Sequence, residues 1–319
     1  MPKKSGVRPD WPTWTEACRY VVLPEGTTQS SAHIRRLHWH VAGRLVLEGG
    51  LDPQYLKPRP PFKIRKTRKA SFLEYDKTVA NAAESTVFGG LKTKNIDVTF
   101  TLPEIGPCIA VSMKATTKAL RNLTNRMEEA VGDCTNIHIA YPALVYAFLH
   151  VIRANRAGRP PESAHGILEL DDKSGELKPA DLALGRDGKP TPGLVAYHDA
   201  LARLTGRRDL RDDASRYEAA ALFLVSPEDG SVGEMIDTYP PRDSPLRIVS
   251  FFETVYRQYE LRFVYGAPSL RPLTRRHFWH PESNAFKHVG SSNFELRIAE
   301  DDVEPREITE LLPDAQLPE

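Results

Sequence analysis

The sequence predicts an α/β fold: a mixed central sheet flanked by helices, with N- and C-terminal elaborations. Three observations lead there. Segments with helical spacing alternate with short β-rich runs through the middle of the chain. The runs at 95–100 and 108–114 are joined by a turn holding Pro103, Gly106 and Pro107, which reads as a hairpin with a long loop. The apolar runs "ALVYAFLHVI" (143–152) and "EAAALFLVS" (218–226) read as buried strands, the first by its Val, Tyr, Phe and Ile content.

The elements follow in order. Residues 1–29 read as an irregular arm rich in Pro, Trp and Thr. "SSAHIRRLHWHVAGRLVLEGG" reads as a helix, capped by Ser30 or Ser31 and ended by Gly49–Gly50. Ile34, Leu37, Val41, Leu45 and Leu47 supply its apolar face. Its histidines His33, His38 and His40 have no acid or cysteine at a metal-ligand spacing, so they read as partly buried side chains beside a core Trp39. The stretch 57–69 carries Lys57, Arg59, Lys63, Arg65, Lys66, Arg68 and Lys69, and its prolines oppose a helix in the first half. Residues 71–90 read as a helix with Ser71 as cap, Glu74 at the capping-box position and Gly89–Gly90 as stop. After the hairpin, 118–132 has helical spacing. Residues 155–190 are rich in Gly, Pro and Asp and read as an inserted loop region. Helices are expected over 193–206 and 244–266, a short strand at "NFELRIA", and an acidic tail over the last twenty residues. The chain thus divides into an arm, helix and basic segment over 1–70, an α/β core over 71–265, and a C-terminal elaboration with acidic tail over 266–319.

Composition narrows the function. A chain of 319 residues suits one elaborated domain or two small ones. With 40% hydrophobic and 27% charged residues it is ordered rather than disordered. A net charge of +1 confines any nucleic-acid footprint to a local patch. Cys18, Cys108 and Cys134 lie far apart with no C-x-x-C pair, which excludes a zinc ribbon and a disulfide framework. They read as reduced thiols. The first residues lack the apolar region of a signal peptide, and no apolar run reaches the ~20 residues that span a bilayer. The expectation is a soluble, cytoplasmic protein.

The chemistry concentrates in "IAVSMK" (109–114). Alternate residues of a strand share a face. Ile109, Val111 and Met113 take one face; Ala110, Ser112 and Lys114 take the other. The second face runs from small to polar to charged, as the rim of a site does. On the preceding strand Asp97 stands among Ile96, Val98 and Phe100, where an acid is disfavoured without a reason. On the following helix, Leu120, Leu123, Met127 and Val131 define an apolar face. Glu128 falls on its flank, and Glu129 points toward solvent.

This arrangement resembles the PD-(D/E)XK nuclease superfamily over about residues 72–155. Asp97 matches its first acid, and Ser112-Met113-Lys114 stands where E-x-K is usual. It is similar to the branch that reads S-x-K and carries the missing carboxylate on the next helix, fourteen residues after the lysine, as Glu128 is here. The Pro that usually precedes the Asp is replaced by Ile96. The resemblance implies a restriction-endonuclease-like core and Mg²⁺-dependent hydrolysis of DNA, of restriction or phage-defence character. Asp97 and Glu128 would hold the metal, Lys114 would orient the attacking water, Ser112 would bond locally, and Glu84 would join from the preceding helix. Lys63, Arg65, Lys66 and Arg68 are the expected DNA contacts, with a homodimer or partner subunit completing the enzyme. The alternative is a non-catalytic nucleic-acid-binding subunit with the same fold.

Overall fold

The computed structural model describes residues 11–23, 33–120, 123–158, 168, 170–289 and 294–299. A five-stranded mixed sheet lies at its centre. Its order is β1 (Leu56–Lys57), β6 (Val98–Leu102), β7 (Gly106–Thr116), β8 (Val145–Arg153) and β9 (Ala219–Val225). β6 runs antiparallel to β1 and β7, whereas β7, β8 and β9 run parallel.

Helices cover both faces. Ile109, Val111 and Met113 of β7 share one core with α1 (Trp14–Val22), α2 (Arg35–Leu47) and α5 (Ile248–Tyr259). Ala110 faces a second core built from α3 (Leu123–Ala140) and α4 (Pro192–Arg203). Every residue of β8 and β9 is buried, as expected for strands covered on both sides. Alternation in 109–114 therefore sorts side chains between two apolar layers, except where the second layer gives way to Ser112 and Lys114.

Several expected elements differ. Residues 14–22 form α1 rather than irregular chain, started by a capping box in which the Glu16 N–H donates to Thr13 Oγ1 at 3.2 Å and the Thr13 N–H to Glu16 Oε2 at 2.8 Å. Residues 71–90 are not a helix. They form β3 (Ser71–Tyr75), a 3-10 turn (Lys77–Val79) and β4 (Ser85–Phe88). Period-two patterning wins there: Leu73 enters the core, and the partner strands β2 (Phe62–Lys66) and β5 (Thr93–Ile96) complete two separate ribbons. Glu74 accordingly pairs across the ribbon with Arg65 at 2.7 Å and caps nothing. Gly89–Gly90 make the β4–β5 turn instead of ending a helix. A side chain on Gly89 would lie 2.1 Å from Asn136, which holds that turn.

The pairing of β2 with β3 runs across position 70, and α2 shares its core with β7, so the described residues 33–70 pack on the same core as the central sheet. The helix expected over 244–266 is α5 followed by a π-helical turn over Glu260–Tyr265. Described residues of 155–190 hold one 3-10 turn, Pro179–Asp181, and isolated bridges. "NFELRIA" gives a single bridge, Ile298 to Trp279, rather than a strand. The Ser30/Ser31 cap and the acidic tail lie outside the described residues. No helix among the described residues is long and apolar enough to cross a membrane.

Candidate metal centre

Asp97 stands where the chain changes partners. Ile96 pairs with Ser85 in the β4–β5 ribbon, and Val98 pairs with Val111 in the main sheet. The ladder to β7 therefore stops beside Met113. The Met113 N–H donates instead to Asp97 Oδ2 at 2.6 Å. A side-chain carboxylate thus takes the bond that a continuing strand would have taken. This gap fixes the acid against the end of β7, one residue from Lys114.

Burial pushes the Asp97 carboxyl above its ordinary value, against the Met113 N–H and the positive charges of Lys114 and Lys94. Its other oxygen, Oδ1, lies 3.5 Å from Nε2 of His38, on α2. Nδ1 of His38 lies 3.8 Å from Oε1 of Glu84, in the extended segment before β4. His38 is 1% exposed, and its Nε2 has no hydrogen-bond partner. Burial pushes its pKa down to about 4, so the ring is neutral at pH 7 and keeps a free lone pair. One donor atom from each of His38, Glu84 and Asp97 lies within 4.8 Å of the others. Ligands at ~2.1 Å from an ion are about 3.0 Å apart when adjacent and about 4.2 Å when opposite, so the three must draw together to hold one. One imidazole and two carboxylates are a donor set suited to a divalent cation.

Lys114 follows on the same rim. Its Nζ donates to Glu129 Oε1 at 3.0 Å, and Lys94 approaches the same oxygen at 3.7 Å. Desolvation raises the Glu129 carboxyl, but Lys114, Lys94 and Arg126 outweigh it and hold the group below its ordinary value. Ser112 is buried and shares a 2.8 Å hydrogen bond with the Tyr146 hydroxyl, the local role expected of it.

The helix phase needs correcting. Both glutamates are exposed, but Glu129, not Glu128, meets Lys114. The expected face counted Leu120, which precedes α3, and Val131, which is only half-buried. The observed face is Leu123, Met127, Ala130, Cys134 and Ile137. At ~100° per residue, Glu129 then lies about 120° from its centre on the side of Asp133, and Glu128 about 140° away on the other side. Asp133 joins the row, paired with Lys94 and with Lys92 at 3.5 Å.

The remaining assignments divide. Glu84 reaches the cluster, though from a coil and not from a helix. The sequence predicts a partly buried His38; it is fully buried, and it faces two acids. Its position at the second of the three histidines in "HIRRLHWH" carries no spacing signal, because its partners come from other elements. Lys63 pairs with Asp76 at 3.2 Å and Glu74 at 3.7 Å. Arg65 pairs with Glu74 and lies over the Phe72 ring at 4.1 Å. Two of the four expected DNA contacts are thus engaged within their own ribbon, while Lys66 and Arg68 are exposed. Compared with models of known families, with curated proteins and with solved structures, the chain matches none.

Proposed function

We propose that this chain is a metal-dependent DNA endonuclease of the PD-(D/E)XK kind, acting in restriction or phage defence. The observation that carries the proposal is the buried, unpartnered Nε2 of His38 facing Asp97 beside Glu84, with Lys114 on the adjoining strand. Burying a polar atom without a partner costs free energy, and a cation held between these donors would offset that cost.

His38, Glu84 and Asp97 would hold the ion. When bound, a divalent ion activates a coordinated water and neutralises charge on the scissile phosphate. The chain's own residues supply the rest. Glu84 provides the second carboxylate that Ser112 lacks. Lys114 offers an ammonium at the rim, half-exposed and aimed by Glu129, where it can orient water and balance phosphate charge. An imidazole among the donors widens the choice of ion from Mg²⁺ to Mn²⁺.

The test incubates the protein and its Lys114→Ala variant with unmodified and methylated plasmid, with Mg²⁺, with Mn²⁺ and with EDTA. Cutting by the parent chain alone, and only with metal, is the expected result. No cutting on any substrate, with DNA still bound, would replace the proposal with a non-catalytic DNA-binding subunit.

A further inference from the structure

The basic stretch divides into two halves with different chemistry. In β2, Lys63 and Arg65 point from the outer face of the β2–β3 ribbon and are neutralised by Glu74 and Asp76. At the tip, Lys66, Arg68 and Lys69 are exposed, and none of their side chains makes a hydrogen bond or ion pair among the described residues. Three cations within four residues repel one another, and the field of Asp52 reaches only Lys66 among them. A fold keeps such a tip only if it is solvated or if an anion meets it.

The ribbon is built to hold that tip still. Its inner face puts Phe62 and Leu73 into the main core. The N–H groups of Leu73 and Tyr75 donate to Ser283 Oγ at 3.0 Å and Asn284 Oδ1 at 2.8 Å. The His280 N–H donates to the Ser71 carbonyl at 2.9 Å, and its ring stacks on Phe72 at 4.2 Å. The turn closes through Thr67, whose N–H donates to the Ala70 carbonyl at 2.9 Å and whose Oγ1 accepts from the Ala70 N–H at 3.0 Å. Such bracing suits an element that must present charges at a fixed place.

We infer that the tip of the β2–β3 ribbon, through Lys66, Arg68 and Lys69, docks on the phosphate backbone of duplex DNA. This rests on the nuclease reading for its choice of partner. A two-stranded ribbon fits the major groove, about 12 Å wide, and cations at its tip can reach the phosphates that flank the groove. The contact is sequence-independent: it positions the duplex and leaves base readout to other residues.

The test is fluorescence anisotropy of a labelled duplex, titrated with the full chain in EDTA over a range of salt. The chains compared are the parent, a triple variant (Lys66→Ala, Arg68→Ala, Lys69→Ala) and a double variant (Lys63→Ala, Arg65→Ala). Each phosphate contact contributes about 0.9 to the slope of log K against log salt. The triple variant should bind more weakly, with a slope shallower by about 2 to 3, and keep the parental melting temperature. The double variant should keep the parental slope. An unchanged slope in the triple variant, or no duplex binding by the parent, would overturn the inference. Tighter binding of single strands than of duplex would also overturn it. Because EDTA prevents cleavage, a changed slope without metal-dependent cutting would leave the ribbon assignment standing and remove the nuclease reading alone.

Discussion

Two acid-centred clusters lie at opposite ends of the parallel strands, and they are finished differently. At the N-terminal end of β8 and β9, Glu218 is fully buried and fully engaged. Arg207 donates to its Oε1 at 2.7 Å, Arg262 forms an ion pair with the same oxygen at 2.7 Å, the Tyr146 N–H donates to Oε2 at 2.7 Å, and His138 lies 3.3 Å away. Desolvation would raise its carboxyl, but His138 and the two guanidiniums outweigh it and hold the group below its ordinary value. At the C-terminal end of β7, Asp97 is half-buried, its carboxyl is raised, and its neighbour His38 has an unpaired nitrogen. The first cluster surrounds its acid with cations and a backbone donor, although Nε2 of His138 and Nε of Arg207 and Arg262 have no hydrogen-bond partner. In the second, the charges of Lys114 and Lys94 do not offset the desolvation of Asp97, and the cluster lies at the end of a parallel sheet, where ligands commonly bind.

The contrast can be broken most sharply at Glu218. Glu218→Ala should destabilise the fold by about 3–5 kcal/mol in denaturant unfolding, because it strands buried guanidiniums. With the carboxyl lowered in the folded state, the stabilisation is complete above the ordinary value of 4.5 and is lost as pH falls through the lowered one. Equal stability of the variant would make the cluster incidental. Next in size, Asp97→Ala should slow metal-dependent cleavage by about 10²–10³-fold or more, while the chain still folds with a lowered melting temperature, because the Met113 N–H loses its acceptor. A fully active variant would remove Asp97 from the site. Third, His38→Leu should raise the metal concentration needed for half-maximal cutting by at least about tenfold. Because Nε2 is unpaired, it should not lower stability. A large loss of stability with unchanged metal response would make His38 a core residue only. Smallest, Glu129→Ala should reduce activity several-fold by freeing Lys114, and Glu128→Ala should leave it unchanged. The reverse order would restore the phase expected from the sequence.

What was legible in the sequence is local. The period-two run 109–114 gives β7 and its faces, Pro103, Gly106 and Pro107 give the hairpin, and the apolar runs give β8 and β9. Asp97 and Lys114 stand out because an acid and a lysine interrupt strands that are otherwise apolar. The ribbons were not legible in the same way. Between 71 and 90, capping residues at helical offsets and a Gly-Gly stop imitate a helix, and only the partners β2 and β5 decide for strands. The phase of α3 failed for a related reason. Leu120 fits the wheel, yet the helix begins after it.

The sequence by itself determined the α/β class, the central strands and the two charged residues at their ends, because strand alternation and turn chemistry act between near neighbours. Only the tertiary structure decided which groups meet there. It brings His38 from α2 and Glu84 from a coil to Asp97, gives Lys114 to Glu129, and splits the basic stretch into a paired half and a free tip. Such meetings depend on where elements pack, and long-range packing is fixed by the whole core rather than by the spacing of the residues that it joins.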